Sequence, residues 1–157
     1  QILKRIGTIQ DEVNSSMLVI THDVSVVAET CDRVIVMYAG KIAEEGPVEE
    51  IFGQPYHPYT IGLKRAFPNI RESSQDLLSI AGYPPELVDP PKGCRFAERC
   101  PMATEKCRTE EPDAQYHEGL RSYCHYADQI DAELRPYADD PTTWKQTAAA
   151  TDGGVEE

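Results

Sequence analysis

Four apolar residues in a row, Met17-Leu18-Val19-Ile20, run without alternation into Thr21-His22-Asp23. A half-exposed strand alternates apolar with polar residues, whereas an unbroken apolar run suits a strand buried on both faces, as in an open parallel sheet. Such sheets bind ligands just beyond the carboxyl ends of their strands. The run therefore predicts a buried strand that delivers His22 to a site. A lone histidine at a strand end is more often a hydrogen-bonded structural residue, so its meaning depends on what surrounds it.

Upstream, Ile2, Ile6, Ile9 and Val13 fall at steps of four, three and four, the spacing of one helix face. Downstream, Asp23 is placed to cap a short helix through Glu29, packed by Val24, Val27 and Ala28. Arg33 to Tyr38 is a β-branched run suited to a buried strand. Ala39-Gly40 turns, and Lys41 to Glu45 pairs back as a short antiparallel edge strand. Pro47 takes the first position of a helix over Val48 to Phe52, which stops at Gly53-Gln54-Pro55. Pro58 starts another, with Ile61, Leu63, Ala66 and Phe67 as its apolar contacts, and Pro68 stops it.

Thr21-His22-Asp23, together with the run from Cys31-Asp32-Arg33 through Ala39-Gly40-Lys41 to Gly46, resembles the carboxyl-terminal part of an ABC-transporter nucleotide-binding subunit. The phrase Pro55-Tyr56-His57-Pro58-Tyr59-Thr60 is similar to a segment of the ATP-binding subunits of oligopeptide and dipeptide importers. By itself that phrase is helix-start punctuation, with no catalytic part for His57. The resemblance implies that His22 is the switch histidine, which contacts the γ-phosphate of ATP and helps orient the attacking water.

An ABC ATPase also needs a Gly-rich phosphate loop with its lysine, a signature sequence and a carboxylate pair for Mg²⁺ and water. None of these is written in the chain, which starts at Gln1 as if a helix were joined partway. The expectation is the last portion of such a subunit, with ATP and Mg²⁺ as cofactors only of a complete one. Alone, the chain is expected not to hydrolyse ATP. The resemblance further implies membrane-spanning permease subunits and a second ATP-binding subunit as partners. It places the protein in the cytoplasm, peripheral on the inner face of the membrane.

Fifteen basic against 27 acidic residues give a formal charge of −12, which argues against nucleic acid or an anionic membrane surface as a direct partner. No apolar run is long enough to insert into a membrane, and no signal-peptide layout opens the chain. Eight acids and two bases lie in residues 128–157, so half of the excess charge sits there. That segment reads as a solvated tail without a site, although an acidic proteome adapted to high salt would leave the same bias.

Residues 69–92 hold Pro84, Pro85, Pro90 and Pro91, which oppose any central helix or strand. Beyond them come Cys94, Cys100, Cys107 and Cys124, too many for passive core residues in a cytosolic protein, where disulfides are disfavoured. The spacing lacks the Cys-x-x-Cys knuckle of common zinc sites, and iron–sulfur clusters accept looser spacing, so a cluster is preferred and zinc is the alternative. Four free thiols remain a further possibility. The family resemblance points to a [4Fe–4S] cluster on these cysteines. His117 and His125 are candidate substitute ligands, Cys31 reads as packing, and a helix-compatible stretch covers Tyr126 to Leu134.

The fold class expected is α/β: a carboxyl-terminal piece of an ABC-type nucleotide-binding domain over residues 1–68, an irregular Cys-rich extension over 69–127, and an acidic, disordered tail over 128–157. The rival function is a small metal- or cluster-binding interaction module, or a remnant with no function.

Overall fold

The computed structural model describes residues 8, 12–66 and 79–145. Most of the helix expected before Asn14 lies outside them; Glu12 and Val13 are helical, and Asn14 takes a left-handed φ of 48°.

The strand expected at Met17–Ile20 does not form. The segment has no regular secondary structure, with Leu18 84% and Ile20 92% exposed. An apolar run of this kind becomes a strand only between hydrogen-bonding neighbours that also cover both its faces, and none lies alongside among the described residues. The Asp23 cap does form. Asp23 Oδ1 accepts from the N–H groups of Ser25 (2.9 Å) and Val26 (3.4 Å), opening helix α1, Val24–Thr30.

Strand β1, Arg33–Tyr38, and strand β2, Lys41–Pro47, make the expected antiparallel hairpin, with Tyr38 opposite Lys41 and a bulge between Val36 and Met37. Ala39 and Gly40 both have positive φ (48° and 79°), the conformation a two-residue turn between twisted strands demands. Their burial is the reverse of the sequence expectation. β1 is the edge strand, with Ile35 and Met37 exposed, while β2 is interior to the sheet.

The reason is a second hairpin that the sequence reading missed. Strand β3, Gln115–His117, turns through Glu118 and Gly119 into strand β4, Leu120–Ser122, and β4 pairs with β2, so the sheet order is β1-β2-β4-β3. Part of the Cys-rich extension thus completes the sheet begun by the hairpin.

Helices α2, Val48–Gly53, and α3, Pro58–Ala66, stand where expected, though Pro47 caps α2 from outside rather than occupying its first turn. Residues 79–92 contain no helix or strand, as their prolines require. Residues 130–144 contradict the expected tail. After a 3₁₀ turn, Ala127–Gln129, comes the short helix α5, Ile130–Glu133, and Ile130, Leu134, Ala138 and Trp144 join the same core as Val36, Ile51, Ile61 and Leu120. Apolar residues spread thinly along a sequence still gather when the backbone coils tightly enough to aim them one way. Trp144 is the anchor: its indole N–H donates to the Ala138 carbonyl at 2.9 Å, and its ring lies against Gly62, where any Cβ would crowd it and Ile80.

Inside this core lies a buried acid. Glu44 of β2 is fully enclosed; its Oε1 accepts from the Tyr56 N–H at 2.6 Å, while Oε2 has no hydrogen-bond partner. Burial pushes the carboxyl up to about 7, against the pull of the Tyr56 N–H and the neighbouring Thr60 hydroxyl. Opposite Glu44 on β4, Ser122 donates its hydroxyl to the Tyr56 carbonyl at 2.9 Å. Two paired side chains thereby hold both polar groups of one peptide residue.

Replacing Trp144 by Ala empties a filled space, and the loss expected is about 3–5 kcal/mol; an unchanged urea midpoint would show that the segment contributes nothing to the core. Glu44 gives a pH-dependent test. Its proton is held in the fold and released from the unfolded chain between the ordinary carboxyl range and about 7, so its contribution is complete below that window and is lost as pH rises through about 7. Buried His57, pushed down to about 4 by burial, runs the opposite way and masks the trend in the native chain. Glu44→Gln should therefore gain on the native chain by on the order of 3 kcal/mol between pH 4.5 and pH 8, read by paired urea melts. A constant difference would refute it.

Candidate functional site

The cysteines are brought together by a chain of short turns rather than by one regular element. Gly93 lies so close to the Cys107 carbonyl that an added Cβ would fall 2.3 Å from it, and this approach lets the Cys94 N–H donate to that carbonyl at 2.8 Å. The Cys94 carbonyl accepts from Ala97, opening a 3₁₀ turn, Ala97–Arg99, whose end carries Cys100. Cys107 sits in helix α4, Glu105–Thr109, and Cys124 follows β4.

All four line one cavity, together with Phe96, Ala97, Met102, His57 and His125. The space is small, about 10 Å³. Cys100, Cys107 and Cys124 are buried and Cys94 partly so. Burial pushes the thiols of Cys94, Cys100 and Cys124 up, Cys124 to about 12, and the neighbouring cysteines push in the same direction. Hydrogen bonds oppose this: backbone N–H groups of Phe96 and Ala97 reach Cys94, that of Met102 reaches Cys100, and that of Tyr126 reaches Cys124. The Thr104 hydroxyl lies 3.6 Å from the Cys107 sulfur and 2.9 Å from the Tyr126 hydroxyl.

That combination has a chemical meaning. Burial favours the protonated form of Cys94, Cys100 and Cys124, and a cation that replaces those protons finds thiolates already supplied with hydrogen-bond donors. Among the described residues, no three Cys, His, Asp or Glu side chains gather closely enough to hold a single metal ion. Zinc at 2.3 Å from each sulfur would need the four sulfurs about 3.8 Å apart. A cluster gives each cysteine its own iron and keeps the sulfurs further apart. The donor set fits a cluster, provided the walls move outward to admit it.

Two arginines adjacent to cysteines, Arg95 after Cys94 and Arg99 before Cys100, are committed elsewhere. Arg95 donates to the Ala39 carbonyl at the β1–β2 turn. Arg99 donates to the carbonyls of Ile80 (2.9 Å) and Ala81 (2.9 Å) and to the Tyr38 hydroxyl (3.1 Å). They tie the cysteine loop to β1 instead of offsetting charge within the cavity.

The histidines separate into distinct settings. His22 is exposed on a bend, apart from the cysteines, and its ring makes no hydrogen bond to a described residue. His117 stacks on the Tyr56 ring with centroids 4.6 Å apart, away from the cavity. His125 reaches the cavity, and its Nε2 lies 3.0 Å from the Glu110 carbonyl. His57, which the sequence reading left as punctuation, is 3% exposed and forms part of the cavity wall. Its Nδ1 accepts from the Tyr59 N–H at 3.1 Å. Cys31 sits just after α1, half-buried beside the Thr30 hydroxyl.

Residues 43–107 match the family model for the oligopeptide/dipeptide transporter, C-terminal region. The chain is 42% identical over 124 residues to the oligopeptide transport ATP-binding protein OppD of Salmonella typhimurium, covering 79% of this chain and 37% of that protein. It is 42% identical over 127 residues to the dipeptide transport ATP-binding protein DppD of Escherichia coli, covering 80% and 39%. It is 43% identical over 122 residues to the oligopeptide transport ATP-binding protein AppD of Bacillus subtilis, covering 78% and 37%. The chain thus spans less than two fifths of the length of these relatives.

Proposed function

We propose that the chain, which is similar to the C-terminal region of the oligopeptide/dipeptide transporter family over residues 43–107 and to the ATP-binding proteins OppD and DppD over 79% and 80% of its length, serves a subunit that couples ATP hydrolysis to the uptake of peptides. The observation that carries this reading is the 42% identity over 124 residues to a protein of that description, extending through the cysteine loop. Permease subunits and a second ATP-binding subunit are the partners, and they hold the protein on the inner face of the membrane. No described helix is long and apolar enough to cross one.

In a complete subunit, with ATP and Mg²⁺ held by groups this sequence does not contain, His22 serves the γ-phosphate. Its exposure suits a group that receives a ligand cradled by another part of the protein. The imidazole acts by orienting water and stabilising charge at the transferring phosphoryl group, which is a transition-state role and not an affinity role. Without the phosphate cradle, the chain alone has no means of holding ATP near His22 and is inactive.

Cys94, Cys100, Cys107 and Cys124 hold a [4Fe–4S] cluster. When bound, it supplies covalent cross-linking of the loop and a one-electron redox centre. The protein's own part is to present four thiolates, satisfy their sulfurs with N–H and O–H donors, and keep water out with Phe96 and Met102.

Two measurements test the two sites separately. In a complete subunit, His22→Ala should lower ATP turnover at least about tenfold while leaving the ATP dissociation constant nearly unchanged; normal turnover removes the switch role. Anaerobically purified chain should contain iron and sulfide in equal amounts with the broad absorption of a Cys-ligated cluster, whereas colourless protein with one zinc per chain would transfer the site to zinc.

A further inference from the structure

Two histidines border the cysteine cavity, and their other bonds leave both with the proton on Nε2 but commit opposite nitrogens. The Tyr59 N–H donates to His57 Nδ1 at 3.1 Å, so in the neutral ring Nδ1 carries no proton and Nε2 carries one. His125 Nε2 meets a carbonyl, that of Glu110, at 3.0 Å; a carbonyl only accepts, so Nε2 carries the proton and Nδ1 is bare. His125 therefore offers the cavity a lone pair. His57 offers it an N–H.

Nothing among the described residues accepts that proton. The His57 ring is almost wholly buried, packs at 6.0 Å between centroids against Phe96, and has no hydrogen-bond partner at Nε2. Besides the cysteine cavity, His57 borders a second one whose polar wall includes Lys41, Arg95 and Glu111, the Glu111 carboxylate being paired with Lys41 at 2.7 Å. On the cysteine side lie four sulfurs, which become strong acceptors once deprotonated.

We propose that His57 is a positioning residue of the cysteine site, donating its Nε2–H to a sulfur of the iron–sulfur group held by Cys94, Cys100, Cys107 and Cys124. The proposal rests on the reading of those cysteines as a cluster site. Its physical effect follows from charge: a hydrogen bond to sulfur favours the reduced, more negative state, and so raises the reduction potential. The His57-Pro58-Tyr59 phrase then has a role at each position. Tyr59 sets the tautomer through its N–H, Pro58 starts α3 without needing a donor of its own, and His57 aims the one N–H.

The test uses the full chain, purified without oxygen. Potentiometric titration of the His57→Phe variant, which keeps an aromatic ring but has no N–H, should give a reduction potential more negative than native, and His57→Gln, which keeps an N–H donor, should recover part of the shift. An iron-loaded His57→Phe with the native potential overturns the proposal and leaves the cluster reading intact. Native protein free of iron and sulfide overturns both. Should His57→Phe fail to load iron, pulsed EPR of the reduced native protein carrying ¹⁵N-histidine decides: a weak histidine nitrogen coupling, lost in His57→Gln or altered there, supports the bond, and no coupling overturns it.

Discussion

Tyr56 is the residue on which the arrangement hangs, because its peptide groups are bound from both sides by a cross-strand pair. Glu44 and Ser122 are opposite each other in the sheet, both without solvent exposure, and they bind the Tyr56 N–H and carbonyl respectively. One pair thus does two tasks: it joins the first hairpin to the second, and it seats the turn that leads into His57. From the carboxyl-terminal side Arg135 adds a third hold, donating to the Pro55 carbonyl at 2.9 Å and lying over the Tyr56 ring. Segments far apart in sequence converge on one turn, and the cysteine cavity forms against it.

The cost of this arrangement is a carboxyl group in the core. A buried, half-satisfied acid is tolerated when its neutral form dominates or when its bonds are strong, and Glu44 combines the two, with burial raising its affinity for a proton and the Tyr56 N–H giving it one short bond. Its charge, when present, also pushes the Cys124 thiol up.

The cysteine loop is organised by close approaches that leave little trace in a hydropathy pattern. Gly93 permits its neighbour to bond Cys107, and the arginines beside Cys94 and Cys100 fasten the loop to the β1 turn and to residues 80–81. The result is a site whose ligands lie on short turns, held by backbone and guanidinium bonds to a small sheet. Such a scaffold suits a covalent or metal staple, since short irregular segments bury too little surface to fix themselves.

The sequence by itself determined the local elements: the Asp23 cap, the Arg33–Glu45 hairpin with its Ala39-Gly40 turn, the two proline-bounded helices and the proline-rich irregular stretch. Each depends on neighbours a few residues away, through caps, turn dihedrals or a missing N–H. Only the tertiary structure decided the rest. Met17–Ile20 is patterned for burial, yet a strand exists only with partners, and none lies beside it among the described residues; β2 became interior because Leu120–Ser122 paired with it from some eighty residues away in the chain. Trp144 and Ile130, thinly spaced in an acidic stretch, looked like solvated tail until coiling brought them into the common core. His57 resembled punctuation because its role lies in which nitrogen faces which neighbour. Burial, strand order and tautomer are properties of contacts across the fold, and no pattern along the chain encodes them one residue at a time.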